Sequence, residues 1–459
     1  LVAIAFSEPH FSLPVTLPLG ALYLWTIGQR IMAIALARQA SASKLDAPVS
    51  PADLPFYSIL VPLYREERVI PRLVGAMEAL DYPPEKLEVL FLIEDDDGET
   101  RAALARVRLQ PFMRLVPCPP GVPRTKPRAL NIGLHECRGS LVAVFDAEDN
   151  PEPDQLLKAA ARFRTAPADI ACLQAELVIE NGNASWLTRA FALEYASLFQ
   201  IVLPGLCAFH LPVALGGTSN HFRRDILLAL GGWDAWNVTE DADLGLRLAI
   251  NAYRVETLAS RTWEEAPQSW RDWRQQRIRW IKGWMQTSLV HLRDMHSTKH
   301  RLGWNVRIAL LHHLVGTPIA ALLTPFFTFA LIMMALADKA NPITTGTVAL
   351  GSALALAAAL TMAALFIHAR PALSARAKMQ AMLATPFYIA AIAVCAWLAL
   401  VELLRHPFQW NKTPHGASLP VPKRAAPPRR KLWPGLATQP EKRRKGAQAS
   451  PDAQAPPRL

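Results

Sequence analysis

Cysteine is scarce in this chain: Cys118, Cys137, Cys172, Cys207 and Cys395 are an odd, scattered five among 459 residues. They form no Cys-x-x-Cys pair and no zinc spacing. That argues against a disulfide scaffold or a structural zinc module and fits reduced thiols in a reducing compartment. Basic charge is missing from the folded part too. Of the net +11, the stretch from Lys412 onward carries eleven Lys/Arg against two Asp/Glu, a net +9, which leaves only +2 for everything before it. Without a basic face interleaved with aromatics, no nucleic-acid partner is expected. The tail, "VPKRAAPPRRKLWPGLATQPEKRRKGAQASPDAQAPPRL", is expected to be disordered and drawn to anionic lipid headgroups. No cleavable signal is evident, and "LVAIAFSEPH", which lacks Met, reads as the stub of a longer N-terminus.

Apolar sequence, by contrast, is plentiful. Runs at roughly 13–37, 307–337, 345–368 and 379–404 are each long enough to cross a hydrocarbon layer. Between about 51 and 300, short apolar strands alternate with helices, as in a soluble α/β domain. The expected division is an N-terminal transmembrane helix and linker (1–50), an α/β domain ending in an interfacial helix (51–300), transmembrane or interfacial helices (301–416) and the tail (417–459). "RQASASK", "HARPALSARAK" and the basic tail all ask to be cytoplasmic, whereas the nearly neutral "ADKANPI" can face outward. Both ends of 379–404 then lie on one side. The charge rule therefore favours an interfacial or re-entrant helix there over a true span, with the α/β domain cytosolic either way.

Chemistry gathers at strand tips. "FYSILVPLYREERVIPRLVGAMEAL" reads as the first β-α unit of a nucleotide-binding sheet. The next strand, "LEVLFLIEDDDGET", ends in Glu94, Asp95, Asp96 and Asp97, where ligands of open α/β sheets sit. "PRTKPRALNIGL" sets Lys126 and Arg128 beside a helix N-terminus, a natural diphosphate pocket. "LVAVFDAEDNPEPDQL" delivers Asp146, Glu148 and Asp149 from a buried strand, the oxygen ligands that Mg²⁺ or Mn²⁺ takes alongside substrate phosphates. In "LGGTSNHFRRDILLALGGWDAWNVTEDADLGLRL", Gly216 and Gly217 permit close backbone approach, while Thr218, Ser219 and Asn220 offer groups suited to a polyol. Glu240 and Asp241 follow at a helix start, where acids either complement the helix dipole or act as a base. Finally "SWRDWRQQRIRWIKGW" puts Gln276, Arg279 and Trp280 on one helical face, on a helix that can also lie along a membrane surface. His312 and His313 read as packing or interfacial histidines, Met333 and Met334 as ordinary span residues. "WEEAP" (263–267) reads equally as a loop that helps close the site or as plain surface.

With "EDDD", "TKPRALN", "DAED", "TED" and "QQRIRW" in this order, the chain over about 55–416 resembles a family 2 glycosyltransferase of the cellulose-synthase-like membrane group. The resemblance implies a GT-A (Rossmann-like, nucleotide-diphospho-sugar transferase) domain joined to an α-helical transmembrane region. It implies that Asp96, with Glu94 or Asp97, contacts the uridine of a UDP-sugar, that Lys126 contacts its phosphates and that Asp146 binds Mg²⁺ or Mn²⁺. Asp241 would be the general base, and Gln276, Arg279 and Trp280 would serve the diphosphate and the acceptor end of a growing glycan. The usual Asp-x-Asp is Asp146-Ala-Glu148 here with Asp149 next, so the second metal ligand is open. "HPFQWNKTPHG" stands where cellulose synthases place a gating loop, which would bring Lys412, Thr413 and His415 to the nucleotide. The implied activity is inverting transfer, with UDP-glucose first and UDP-N-acetylglucosamine next. The product is a processively made β-glycan exported across a bacterial-type inner membrane, with a homodimer or accessory export proteins widening the path. The alternatives are single-sugar transfer to a lipid carrier and an inactive membrane receptor or scaffold.

Overall fold

The computed structural model describes residues 9–40, 47–294, 303–336 and 342–407. Lys412, Thr413, His415 and the basic tail therefore lie outside the described residues.

Eight strands form one mixed sheet: β1 (Tyr57–Leu63), β2 (Leu87–Glu94), β3 (Met113–Cys118), β4 (Leu141–Val144), β5 (Asn150–Pro151), β6 (Ile170–Ile179), β7 (Asn220–Arg223) and β8 (Arg254–Glu264). Their order is β3-β2-β1-β4-β7-β6-β8-β5. Strands β1, β2 and β4 are almost unbroken apolar runs because both of their faces are covered, and such strands pair in parallel. Indeed β2 and β4 flank β1 in parallel, while β7 runs antiparallel between β4 and β6. The chain leaves β1 to one side for β2 and returns on the other for β4. This reversal opens a crevice at the carboxyl ends of β1 and β4, the usual ligand position in open α/β sheets.

The helices that matter for the site are α1 (Pro9–Ala40), α2 (Lys126–Glu136), α3 (Trp186–Ser197), α4 (Glu240–Ile250), α5 (Trp270–Asp294), α6 (Thr317–Leu336), α7 (Pro342–His368) and α8 (Ala375–Arg405). Among the described residues, four helical stretches are long and apolar enough to cross a membrane: Trp186–Ala208, Val306–Pro325, Val348–His368 and Ala375–Arg405. The first was not expected, and its surroundings explain why it belongs to the globular part. Protein covers 67% of its apolar window, against 28%, 22% and 28% for the others. Those three leave most of their apolar surface for a non-aqueous neighbour to cover. The first run contributes a shorter apolar stretch, Gly20–Leu36. The segment expected as an interfacial or re-entrant helix is one unbroken helix of 31 residues, capped by Ser374 and continuous through Pro386. An unbroken helix suits an interfacial arrangement or a true span better than a re-entrant turn.

Close approach of α5 to the turn before α4 brings the two distant motifs together. A Cβ on Gly283 would lie 2.3 Å from Thr239 Oγ1 and 2.8 Å from its Cβ, so only glycine fits. Behind that contact, the Arg277 guanidinium donates to Glu194 of α3 at 2.7 Å and to the Tyr388 hydroxyl of α8 at 2.8 Å. It also lies 4.8 Å from the Trp280 ring centre and 5.0 Å from that of Phe191. Such desolvated cation–π contacts hold an indole in one place. Replacing Gly283 with Ala should push α5 off Thr239 at a cost of about 1–3 kcal/mol, read as a lower melting temperature of the detergent-solubilised protein together with weakened activity.

Candidate active site

The crevice widens into a cavity of about 710 Å³ that runs from the strand tips to the apolar helices. Lys126 enters it because Pro127 starts α2 at that point, its missing N–H costing nothing in a first turn. Lys126 Nζ lies 2.5 Å from Asp146 Oδ1 and donates to the Gly217 carbonyl at 2.7 Å. Burial pulls this ammonium toward neutrality, but Asp146, Glu240 and Asp241 outweigh it and its pKa is raised. Gly217 lies against both charges: a Cβ there would make ordinary contact, 3.4 Å from Asp241 Oδ2 and 3.8 Å from Lys126 Nζ.

Glu240 and Asp241 open α4 and face the same space. Burial, then the neighbouring Asp241, pushes Glu240 from its ordinary 4.5 up to about 7, with Lys126 pulling the other way. Burial raises Asp241 as well. Asp243, one turn on, faces away: burial would raise it, but the hydrogen bond from His291 and the charge of Arg247 leave it lowered. It accepts from His291 at 2.7 Å and from Arg247 at 2.7 Å, and so fastens α4 to α5. Arg279 closes the acid pair from above. Its pKa is lowered by burial against the pull of Glu240, Asp241 and Asp146, and its Nε finds no partner among the described residues. Gln276 and Trp280 line the same wall, with Gln276 Oε1 likewise unpartnered.

Of the expected site residues, Glu94, Lys126, Asp146, Glu148, Thr218, Glu240, Asp241, Gln276, Arg279 and Trp280 meet in this cavity. Others are placed differently, for local reasons. Asp97 caps the helix Gly98–Ala105, accepting from Thr100 N at 3.1 Å and from Arg65 N at 2.5 Å, so both its oxygens serve the backbone. Arg128, one turn into α2, points back to Glu94 at 3.3 Å and to the Pro119 carbonyl. Arg124, just before the helix, lines the cavity in its place and holds the half-exposed Asp96 at 2.5 Å. Asp149 lies inside the strand tip, where it accepts from Asp146 N at 2.7 Å and from the Thr218 hydroxyl. Ser219 and Asn220 are buried: Ser219 Oγ donates to Thr262 at 2.6 Å and Asn220 Nδ2 to the Gly216 carbonyl at 2.6 Å, while Asn220 Oδ1 has no partner among the described residues. Ser219 sits at φ 55, which turns its side chain inward rather than toward a polyol.

Sequence reasoning missed Arg124 and left Glu264 and Glu265 undecided, yet all three line the cavity. It also missed Asn131, whose side chain donates to the Trp233 carbonyl at 2.7 Å and accepts from Trp233 N at 2.9 Å. That clamp ties the lysine loop to the approach to Glu240, and it needs glycine at 232, which has φ 70 and where a Cβ would meet Asn131 Oδ1 at 2.3 Å.

Carboxylates crowd the metal candidates. Burial and then Asp146, Glu148 and Glu264 push Asp149 well above the usual range, and its Oδ1 is without a partner. Among the described residues, however, no three His, Cys, Asp or Glu donors converge tightly enough to hold an ion alone. Two carboxylates on the wall, Asp146 and Glu148, are the number that Mg²⁺ or Mn²⁺ uses when a diphosphate supplies further oxygens.

A parallel β1–β2–β3 and β4 set, an antiparallel extension and acids at the switch point define a GT-A, Rossmann-like fold. Residues 141–398, more than half of the chain, match the family described as "Glycosyl transferase family group 2", and the chain belongs to that family. It is 29% identical to the probable glycosyltransferase YdaM of Bacillus subtilis over 54% of this chain and 60% of that one. It is 29% identical to the beta-monoglucosyldiacylglycerol synthase of Synechocystis over 71% and 68%. A probable glucomannan 4-beta-mannosyltransferase of Arabidopsis thaliana matches at 27% over 53% and 45%. The chain thus spans between under half and about two thirds of these relatives' lengths. The mannosyltransferase PcManGT of Pyrobaculum calidifontis, solved with GDP-Man and Mn²⁺, superposes at a TM-score of 0.47 and 20% identity over 84% of this chain and 99% of that one. That likeness is too loose to argue from.

The acid pair gives a signed expectation. Unfolded, Glu240 ionises near 4.5, and folded only near 7, so its ionisation costs stability as pH rises between those values. Glu240→Gln should therefore melt higher than the parent at pH 8, with the gap closing by pH 4.5. A gap of opposite sign would mean that Lys126 and Arg279 outweigh burial.

Proposed function

We propose that this protein transfers a sugar from a UDP-sugar to an acceptor hydroxyl by a single inverting displacement at the cytosolic face of a membrane. One observation carries the reading: Lys126, Asp146, the Glu240–Asp241 pair and Arg279, drawn from four separate segments, face one cavity at the sheet's switch point. Arg124 and Lys126 take the diphosphate, with Arg279 above them as charge develops on the leaving group. Mg²⁺ or Mn²⁺, held by Asp146 and Glu148 together with the diphosphate, would supply Lewis-acid stabilisation of that charge. Asp241 accepts the proton of the attacking hydroxyl, its basicity raised by burial. Attack and departure occupy opposite faces of the anomeric carbon, so an α-linked donor yields a β product. UDP-glucose is the first donor to try and UDP-N-acetylglucosamine the second.

The Gln-x-x-Arg-Trp motif carries the expectation of a processive, exported glycan, and relatives include glucomannan mannosyltransferases as well as glycolipid synthases. Single-sugar addition is the product the cavity favours, because its membrane end has apolar walls that give a polysaccharide's hydroxyls few partners.

Asp241→Asn should lower turnover by about 10²–10⁴-fold, the usual worth of a positioned base, while UDP affinity measured by calorimetry is retained. Wild-type turnover in that variant would remove Asp241 from the base's role. Asp146→Ala should abolish transfer and with it any response to added divalent cation, and transfer that persists in chelator would show that the leaving group departs without a metal.

A further inference from the structure

The far half of the cavity is built differently from the half that holds the acids. Its wall consists of Leu198, Val202 and Leu206 on one side and His313, Pro318 and Ala321 on the other. Both sides contain a π-helical turn, Leu198–Val202 and His312–Gly316. Such turns insert one residue into a helix and recur at functional sites. Helix α1 backs both of them closely: a Cβ on Gly205 would meet Ala33 Cα at 2.5 Å, and one on Gly316 would meet Leu22 Cδ1 at 2.5 Å. With α1 packed behind, residues of both turns line the slot between them. It reaches the surface, since the lining residues Leu198 and Thr317 are both exposed. That opening lies beside Val306–Pro325, whose apolar window is only 28% covered by protein. Two polar atoms face the slot with no partner among the described residues, His313 Nε2 inside it and Gln276 Oε1 where it joins the acid half.

We infer that this half of the cavity is the acceptor subsite and takes a membrane lipid with acyl chains and a headgroup hydroxyl, entering sideways from the bilayer. This deepens, and rests on, the transfer reading above. An apolar slot that opens among apolar helices is filled by hydrocarbon, because water there would find few partners. A polyhydroxylated chain would meet the same penalty. Seated with its chains between the π-turns, the lipid presents its hydroxyl to Asp241, with His313 and Gln276 on the headgroup. The hydroxyl oxygen forms the new bond to the anomeric carbon and its proton passes to the Asp241 carboxylate. The bond to the diphosphate breaks, and the electron pair leaves with UDP.

The test uses the full chain in phosphatidylcholine vesicles containing a diacylglycerol that bears a diazirine on one acyl chain. Ultraviolet light should label peptides spanning 198–206 and 313–321, unlabelled diacylglycerol should compete, and no sugar donor is needed. Ala321→Trp and Thr317→Trp, which fill the slot from two positions, should each cut that labelling at least tenfold. Leu350→Trp, on an exposed face outside the cavity, should label like the parent. Melting temperatures identify any variant that fails to fold, and Thr317, being exposed, is the safer of the two. Labelling confined to outer helix faces, or equal in parent and slot-filled variants, overturns the subsite whether or not UDP is released. With labelled UDP-sugar added, an organic-extractable product that disappears in both slot variants supports it, and polymer formation undiminished in them overturns it. Absence of UDP release with every donor would instead strike the transfer reading, leaving the cross-linking result to stand by itself.

Discussion

Balance of charge inside one cavity is the constraint on which the rest depends. Asp146, Glu148, Glu240, Asp241 and Glu264 face a space where Lys126, Arg277 and Arg279 are deeply placed cations. Burial alone would drive several of these acids neutral. Lys126, in direct contact with Asp146, works against this for Glu240, whose carboxyl still rises to about 7.

Holding that balance requires segments far apart in the chain to stay in register. The Asn131–Trp233 clamp fixes α2 to the approach of α4, and the Gly283–Thr239 contact fixes α4 to α5. Arg277, beside the motif residues rather than among them, ties α5 to α3 and α8 through Glu194 and Tyr388 and lies against Trp280. Its ion pair is expensive to bury, and such pairs tend to be kept for the specific geometry that they impose. Here that geometry is the position of the Trp280 indole on the cavity wall.

Much of this was legible from residue order. Unbroken apolar strands ending in acids announced a parallel sheet with its ligand at the strand tips, and Gln276, Arg279 and Trp280 at helical spacing do share one wall. What could not be read was which way short polar side chains turn. Asp97 looks like a ligand residue in sequence but spends both its oxygens on backbone N–H groups, and Asp149 spends Oδ2 on Asp146 N and the Thr218 hydroxyl while Oδ1 keeps no partner among the described residues. Ser219 and Asn220 are turned inward by a positive φ and by pairing with β4 and β6. Arg124 and Arg128 exchange roles because the helix begins between them, a boundary that Pro127 marks but does not by itself interpret. The apolar helix after β6 has a span's composition, and only the protein packed around it shows that it is core.

One amide joins the end of α8 to the turn that precedes Glu240 and Asp241. Gln286 accepts from Val238 N at 3.4 Å and donates to the Pro407 carbonyl at 2.8 Å, while Lys282 beside it is wholly buried and grips Glu402 at 2.7 Å. A helix of 31 residues is about 46 Å long. Because its end is pinned through Lys282 and Gln286, any shift of that long rod is passed on to Val238 and so to the two acids that follow it.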